Sequence, residues 1–354
     1  MRVIDRRADP TAWARELGIT REAVELYLAC DVIDLHIDSF IWHRLIGYDL
    51  RRRHSPITRG VVLGQVDFPR IREAEISGAT WVISTNPARD VRERGRLFER
   101  NLAELLDIFA SVEDDFAIVR DHGEYQQARL AGKHAAFIGV QGGNAFDGDV
   151  EQLARLPKGV LLRVTVVHLS NSNFGSASAP LLGGNGGLTG LGVEFVRKLN
   201  EQRIFVDLAH ASPRTFSEIV AVHDRSQPLL ATHTGVSGVH RHWRNLDDEQ
   251  IRAIAATGGT IGIIYHAPFL GDRLWAGRLE SIVHHLEHVI AVAGDDHASL
   301  GSDWDGAIVL PRDMQSCLEL PRLVDCMLRR GWQEERVRKV LGGNFLRTLR
   351  QLRG

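Results

Sequence analysis

The chain of 354 residues has little cysteine, no long apolar run and no excess of basic charge. Its three cysteines are too few and too scattered for a disulfide framework, and none has the spacing of a zinc–thiolate site. No apolar run approaches the length of a membrane-spanning helix, and the charged N-terminus does not resemble a signal peptide. The formal net charge of −2 argues against a nucleic-acid partner. We therefore expect a cytoplasmic protein with no membrane and no nucleic-acid partner.

A dinucleotide-binding fingerprint is also lacking, because no Gly-x-Gly-x-x-Gly follows the first apolar segment. The sequence instead alternates short apolar segments with helical patterns, which is typical of parallel α/β folds. Eight such units in one chain favour a closed (β/α)8 TIM barrel over an open doubly wound sheet. The predicted strands are 32–38, 79–84, 135–140, 160–167, 204–208, 228–232, 260–265 and 299–302.

We expect residues 1–354 to form a single barrel domain, with helical additions at both ends. An N-terminal helix is expected within residues 1–30, where Thr20 would cap it, and a C-terminal helix pair within 316–351. Residues 40–66 are predicted to be a long loop, of the kind that forms lids or binding walls. Other helices are predicted over 90–112, 150–155, 189–202, 212–222, 247–257 and 279–293.

Polar residues recur where the predicted strands end. His36 and Asp38 lie two residues apart on the first strand, so their side chains point to one face and can share a divalent cation. Alone, this pair is better explained as a buried histidine beside a strand-end aspartate. In a (β/α)8 barrel, however, the C-terminal strand ends form one rim, where active sites lie. The other strand ends add Gln141, His168, His210, His233, Tyr265, His266 and Asp303, which favours a functional centre.

Several ordered motifs resemble the membrane (renal) dipeptidase family, peptidase family M19 of the amidohydrolase superfamily. They extend over nearly the whole chain: the His36–Asp38 segment, Gln65–Arg70, Gly187–Thr189, Asp207–His210, Arg244–Gln250, Gly301–Gly306 and Gly342–Leu346. The resemblance implies a TIM barrel with two zinc ions that hydrolyses dipeptides, often with a D-residue at the C-terminal position. It also implies a small dipeptide-like substrate and a homodimer.

The same resemblance implies which residues hold the metal. His36 and Asp38 would hold one zinc ion. His210 and His233 would hold the other. Where the family has a glutamate that bridges both ions, this chain has Gln141, whose amide carries no charge and only one good acceptor oxygen. We therefore expect a weakened centre or a centre with a single ion, with the side of His36 and Asp38 keeping or sharing the metal.

The remaining roles concern the substrate and the proton. By resemblance, Asp303 would be the general base and acid, and His168 would bind the substrate and polarise the scissile carbonyl. Arg244 would clamp the terminal carboxylate, a task that suits a guanidinium group. Tyr265 is expected to line the substrate site. Asp207 or Glu287 could orient the histidine ligands.

Two functions are compatible with this set of residues. The first is metal-dependent hydrolysis of dipeptides. The alternative, favoured by Gln141, is a non-hydrolytic or weakly active relative that binds an amino-acid-like ligand or carries out a biosynthetic tailoring step. The nearest spare carboxylates, Asp147 and Asp149, lie in the following loop and could replace the bridging group only by rearrangement.

Overall fold

A computed structural model describes residues 3–54, 62–86 and 88–354. The described residues form one sheet of nine parallel strands, β1 (Ile33–Ile37), β2 (Gly78–Ser84), β3 (Phe116–Ile118), β4 (His134–Gln141), β5 (Arg163–Thr165), β6 (Phe205–Asp207), β7 (Leu230–Thr234), β8 (Thr260–Ile263) and β9 (Ala298–Leu300). Strand β1 pairs with both β2 and β9, and β2 pairs with β4, so that the sheet closes on itself. The predicted (β/α)8 TIM barrel is confirmed, since all eight predicted strands are present.

The ninth strand, β3, was not predicted. It is three residues long and pairs with the first residues of β4, outside the barrel wall. Strand β5 pairs with the last residues of β4, Gly139 to Gln141. A strand as short as β3 has no apolar periodicity of its own, so its sequence carries no signal for it.

Helices surround the barrel and extend it at both ends. They are α1 (Pro10–Leu17), α2 (Arg21–Leu28), α3 (Phe40–Ile46), α4 (Phe68–Glu73), α5 (Val91–Ala110), α6 (His122–Leu130), α7 (Gln152–Arg155), α8 (Gly190–Glu201), α9 (Pro213–Val222), α10 (Asp248–Ala255), α11 (Glu280–Ala293), α12 (Pro321–Arg329), α13 (Glu334–Arg338) and α14 (Asn344–Arg353). A π-helical turn over Lys339–Gly343 joins α13 to α14. None of the described helices combines the length and the apolar character needed to cross a bilayer.

Two local predictions need correction. The N-terminal region contains two helices instead of one, because Gly18 ends α1 in the left-handed conformation (φ 67°) and Thr20 then caps α2. The predicted loop over 40–66 begins with helix α3, which ends at the left-handed Gly47 (φ 71°). Of the helix side chains there, only that of Phe40 is buried, so the segment lacks the apolar stripe that predicts a helix. Residues 55–61 of that loop lie outside the described residues.

An apolar layer fills the lower part of the barrel. Phe137, Phe205 and Leu230 come from strands that are not all neighbours, yet they belong to one buried cluster with Phe345 of α14. The ring centroid of Phe345 lies 5.6 Å from that of Phe137 and 6.3 Å from that of Phe205. Side chains from separated strands can meet in this way only inside the barrel. Helix α14 therefore closes the bottom, and the polar residues lie above this layer.

Candidate metal centre

A continuous set of contacts joins buried polar side chains at the C-terminal ends of four strands. His36 Nε2 lies 3.0 Å from Gln141 Oε1, and Gln141 Nε2 lies 3.3 Å from His210 Nε2. His210 Nε2 in turn lies 2.9 Å from His233 Nε2. His210 reaches this position from a left-handed backbone conformation (φ 68°) just after β6. The structure thus brings together four of the five residues that the sequence proposed as metal ligands.

The fifth proposed ligand, Asp38, lies beside His36, and Asp303 lies close to both. Asp38 Oδ2 is 3.8 Å and Asp303 Oδ1 is 3.5 Å from His36 Nε2. Ser84 donates a hydrogen bond of 2.7 Å to Asp38, whereas Asp303 Oδ1 has no hydrogen-bond partner among the described residues. Ligand atoms of His36, His233 and Asp303 all lie within 4.8 Å of one another. Two imidazoles and a carboxylate in this arrangement are a suitable donor set for one divalent ion.

Burial controls the charge of these groups. It lowers the pKa of His210 and of His233 well below the usual value, with nearby Arg244 and His36 adding to the effect, so both imidazoles are neutral. Burial also raises the pKa of Asp303 well above its usual range, and the neighbouring Asp38 carboxylate raises it further. For Asp38, burial acts in the same direction, but hydrogen bonds with His36 and Ser84 outweigh it and lower the pKa. One carboxyl group therefore favours the proton while its neighbour favours the charge.

Neither of the two loop carboxylates, Asp147 and Asp149, takes the place of the missing bridge at Gln141. Asp147 is bound by Arg94 at 2.5 Å and by the backbone N–H of Asn173. Asp149 forms an exposed ion pair of 2.5 Å with Arg155. Both loop carboxylates are thus engaged elsewhere. The amide of Gln141 itself presents an oxygen to His36 and a donor nitrogen to His210, which is not the pattern of a bridging anion.

Sequence reasoning missed Arg163, which lies directly beneath the histidines. Its side chain is fully buried, and Nη2 lies 2.6 Å from His36 Nδ1. Nη1 lies 2.6 Å from Thr165 Oγ1 and 2.9 Å from Asp207 Oδ2. The available signal was a charged residue in the middle of the apolar segment that precedes His168.

Asp207 does support the histidines, although through an intermediate residue. Its Oδ2 accepts a hydrogen bond of 2.6 Å from Thr232 Oγ1, and that hydroxyl lies 2.9 Å from His233 Nδ1. Its pKa is lowered, because the charge of Arg163 and several hydrogen bonds outweigh burial. The same expectation for Glu287 is wrong, since its carboxylate pairs with Arg330 at 2.7 Å.

Two of the proposed substrate residues, His168 and Arg244, border the centre, whereas Tyr265 lies in the surrounding apolar core. The ring of His168 packs edge-on against that of His210 at 4.7 Å, and burial lowers the pKa of His168 to about 4. Arg244 is 3% exposed; Nη2 donates a hydrogen bond of 2.5 Å to the His233 carbonyl, while its Nε has no partner among the described residues. Tyr265 is fully buried and packs edge-on against Trp304 at 5.6 Å.

Comparisons with known proteins show the family of this chain and proteins that share its fold. The uncharacterized protein in the pqqA 5′ region of Klebsiella pneumoniae is 33% identical over 221 residues, which are 60% of this chain and 80% of that protein. The probable dipeptidase PvdM from Pseudomonas aeruginosa has the same fold, with a TM-score of 0.83 at 17% identity over 96% of this chain and 98% of that one. A metallopeptidase from Rhodobacter sphaeroides, bound to a phosphinate mimic of L-Ala-D-Ala, also has this fold. Its TM-score is 0.76 at 23% identity, over 91% of this chain and 99% of that one. The sequence model of the membrane dipeptidase family, peptidase family M19, matches residues 20–353, and the chain therefore belongs to that family.

Proposed function

We propose that this family member hydrolyses dipeptides or closely related amides with the help of a single divalent metal ion, zinc being the expected one. The observation that carries the proposal is the convergence of ligand atoms from His36, His233 and Asp303 within 4.8 Å. The unpartnered Asp303 Oδ1 among them is a buried acceptor, which is costly unless a cation or a donor approaches it. The substrate would be small and dipeptide-like.

The residues present fit one ion better than the two of the family. His36, His233 and Asp303 would hold that ion, with Asp38 and His210 as further candidates. A bound ion of this kind lowers the pKa of water and polarises a carbonyl group. A second ion would need an anionic bridge to offset the repulsion between two dications, and the uncharged amide of Gln141 lies at the place for it.

Proton transfer is the role that we assign to Asp303. Burial and the nearby Asp38 raise its pKa, so its carboxyl group has a high affinity for a proton. A carboxylate beside the ion can take the proton of the attacking water and deliver it to the leaving amine. Asp303 is fixed for this task by its own backbone N–H, which donates a hydrogen bond of 3.1 Å to the His36 carbonyl.

Substrate binding is assigned to Arg244, His168 and Tyr265. The guanidinium of Arg244 is buried at the rim of the site, where it can hold the terminal carboxylate of a dipeptide through two parallel hydrogen bonds. Neutral His168 can donate a hydrogen bond to the scissile carbonyl as its oxygen gains negative charge. The bound L-Ala-D-Ala mimic of the Rhodobacter sphaeroides metallopeptidase supports a D-residue at the C-terminal position of the substrate.

A panel of dipeptides tests the proposed reaction. The purified protein is assayed with added Zn²⁺ on L-Ala-L-Ala, L-Ala-D-Ala and larger pairs. We expect measurable release of amino acids, and a loss of about 100- to 10,000-fold in kcat for Asp303→Asn, the range typical of a general acid or base. Asp149→Asn, in the exposed ion pair with Arg155, is the matched control and should keep full activity. Equal activity of wild type and Asp303→Asn would refute the assignment.

A second candidate function is a non-hydrolytic relative that binds an amino-acid-like ligand or carries out a biosynthetic tailoring step. The observation that favours it is the placement of Gln141, whose uncharged amide contacts His36 on one side and His210 on the other. No turnover by wild type or by Gln141→Glu at saturating Zn²⁺, together with calorimetric binding of a dipeptide, would support this function over hydrolysis.

We further propose a cytoplasmic location and a homodimer. Support for the location comes from Cys30, Cys317 and Cys326, which are all buried and unpaired, as thiols in a reducing compartment are. Fractionation of cells with an antibody against the protein tests the location. Sedimentation of the purified chain of 39.5 kDa tests the dimer.

A further inference from the structure

Arg163 is held in the barrel interior by contacts on several sides. It is one of the largest fully buried side chains, and the strand beside it leaves room for it at Gly139. A Cβ atom at Gly139 would lie 2.8 Å from Thr80 Cγ2 and 2.9 Å from Arg163 Nε, so another residue there would force one or both of these side chains to move. The group forms an ion pair of 2.9 Å with Asp207 and reaches His36 on its other side. A cation is therefore held permanently beneath the proposed metal centre.

The contact with His36 fixes the position of a proton. A guanidinium group has only donors, so the His36 Nδ1, at 2.6 Å from Arg163, must be the acceptor. A neutral imidazole then carries its single N–H at Nε2, where it points to the Gln141 oxygen at 3.0 Å. A histidine binds a metal ion through a lone pair, and in this tautomer Nε2 has none to offer.

We infer that Arg163 is a positioning residue that weakens metal binding at His36, by holding its imidazole in the Nε2–H tautomer and by placing a positive charge next to it. The inference rests on the proposed function, because it concerns the metal of that site. It predicts that the ion binds weakly and depends mainly on His233 and Asp303. The inference thus disagrees with the expectation that the side of His36 and Asp38 keeps or shares the metal.

Replacement of Arg163 leaves its other partner well bonded. Asp207 retains hydrogen bonds from Thr165 Oγ1 at 2.9 Å, from the Thr232 N–H at 3.0 Å and Oγ1 at 2.6 Å, and from the Ala209 N–H at 3.1 Å. A glutamine at position 163 is uncharged and shorter than arginine, so it removes the obligate donor from His36 Nδ1. Arg163→Gln therefore permits the metal-binding tautomer without leaving a bare buried carboxylate.

The first experiment measures zinc affinity by competition with a chromogenic chelator, for wild type, Arg163→Gln and Arg163→Lys. We expect Arg163→Gln to bind Zn²⁺ about 10- to 100-fold more tightly, the range for a partner that orients a ligand. Arg163→Lys keeps a positive donor and should bind no more tightly than wild type. No gain in Arg163→Gln, or the same gain in both variants, would overturn the inference.

The second experiment needs no variant at position 163. Nitrogen-15 spectra of the histidine side chains in metal-free wild type report the tautomer directly, and His36→Asn assigns the signal. We expect protonated Nε2 and unprotonated Nδ1 at His36; the opposite tautomer would overturn the inference. The dipeptide assay is separate: absence of hydrolysis by a protein in which Arg163→Gln tightens zinc binding would refute the proposed function and leave the role of Arg163 standing.

Discussion

Gln141 lies between His36 on one side of the centre and His210 on the other, so Gln141→Glu tests the metal site most directly. Its amide oxygen is 3.0 Å from His36 Nε2 and its amide nitrogen 3.3 Å from His210 Nε2. Glutamate has nearly the same shape, replaces the donor nitrogen by an acceptor oxygen and adds a negative charge. We expect the variant to bind Zn²⁺ more tightly than wild type and to hydrolyse dipeptides faster.

The size of the gain follows from two opposing contributions. A unit negative charge about 4 Å from a dication gains about 8 kcal/mol of attraction at an effective dielectric constant of about 20. Burial of the new carboxylate, at a position where Gln141 is 2% exposed, costs several kcal/mol. We expect a net gain of about 2 to 3 kcal/mol, or about 30- to 150-fold in zinc affinity.

Chelator competition measures the affinity, and the dipeptide assay measures the rate on the same preparations. Gln141→Met has a similar volume but no charge, and it should bind zinc no more tightly than wild type. The metal-free glutamate variant should also unfold at a lower temperature than wild type, because its buried carboxylate then lies near Asp38 and Asp303 without a cation. Zinc affinity equal to that of wild type would show that the missing charge does not limit this site.

Three further outcomes are expected. The double variant Gln141→Glu, Arg163→Gln should gain more zinc affinity than the sum of the two single gains in free energy, since the carboxylate added by one change and the His36 lone pair freed by the other act on the same ion; strict additivity in a double-mutant cycle would contradict the shared target. Arg244→Met should lower kcat/KM about 10- to 150-fold for dipeptides with a free carboxylate but not for their C-terminal amides, and equal losses would argue against a carboxylate clamp. Burial lowers the pKa of His134 to about 3, below the ordinary 6.5, so the unfolded chain takes up this proton first and the free energy of unfolding falls as the pH drops below 6.5. His134→Gln should remove about 2 kcal/mol of the loss seen in urea unfolding at pH 5 relative to pH 7, and an unchanged difference would refute this.

The sequence was informative wherever the fold maps chain position directly onto space. Parallel strands of a barrel place all their C-terminal ends on one rim, so residues such as His36, His210 and Asp303 converge although they are far apart in the chain. Each follows an apolar segment that is recognisable without the structure. The closed barrel and the histidine cluster could therefore be predicted together, and the motifs then pointed to the family.

The interior beneath the rim could not be predicted in the same way. The place of Arg163 depends on strand register, which puts it opposite Gly139 on one side and Phe205 on the other. Neither pairing can be predicted from the local sequence. The choice between Asp207 and Glu287 as support for the histidines failed for a similar reason, because both are acidic residues near apolar segments and only the tertiary structure separates them.

The buried charges around the centre argue for one metal ion independently of Gln141. The carboxylates of Asp34, Asp38, Asp207 and Asp303 and the guanidinium groups of Arg163 and Arg244 are all buried around the centre, which gives this set a formal charge of minus two when all are ionised. One dication neutralises the set, whereas two would bring it to plus two. Uncompensated buried charge costs several kcal/mol per ion, so we expect the binding of a second dication to be unfavourable. Arg163 thus supplies, as a fixed part of the chain, positive charge that a second metal ion would otherwise bring.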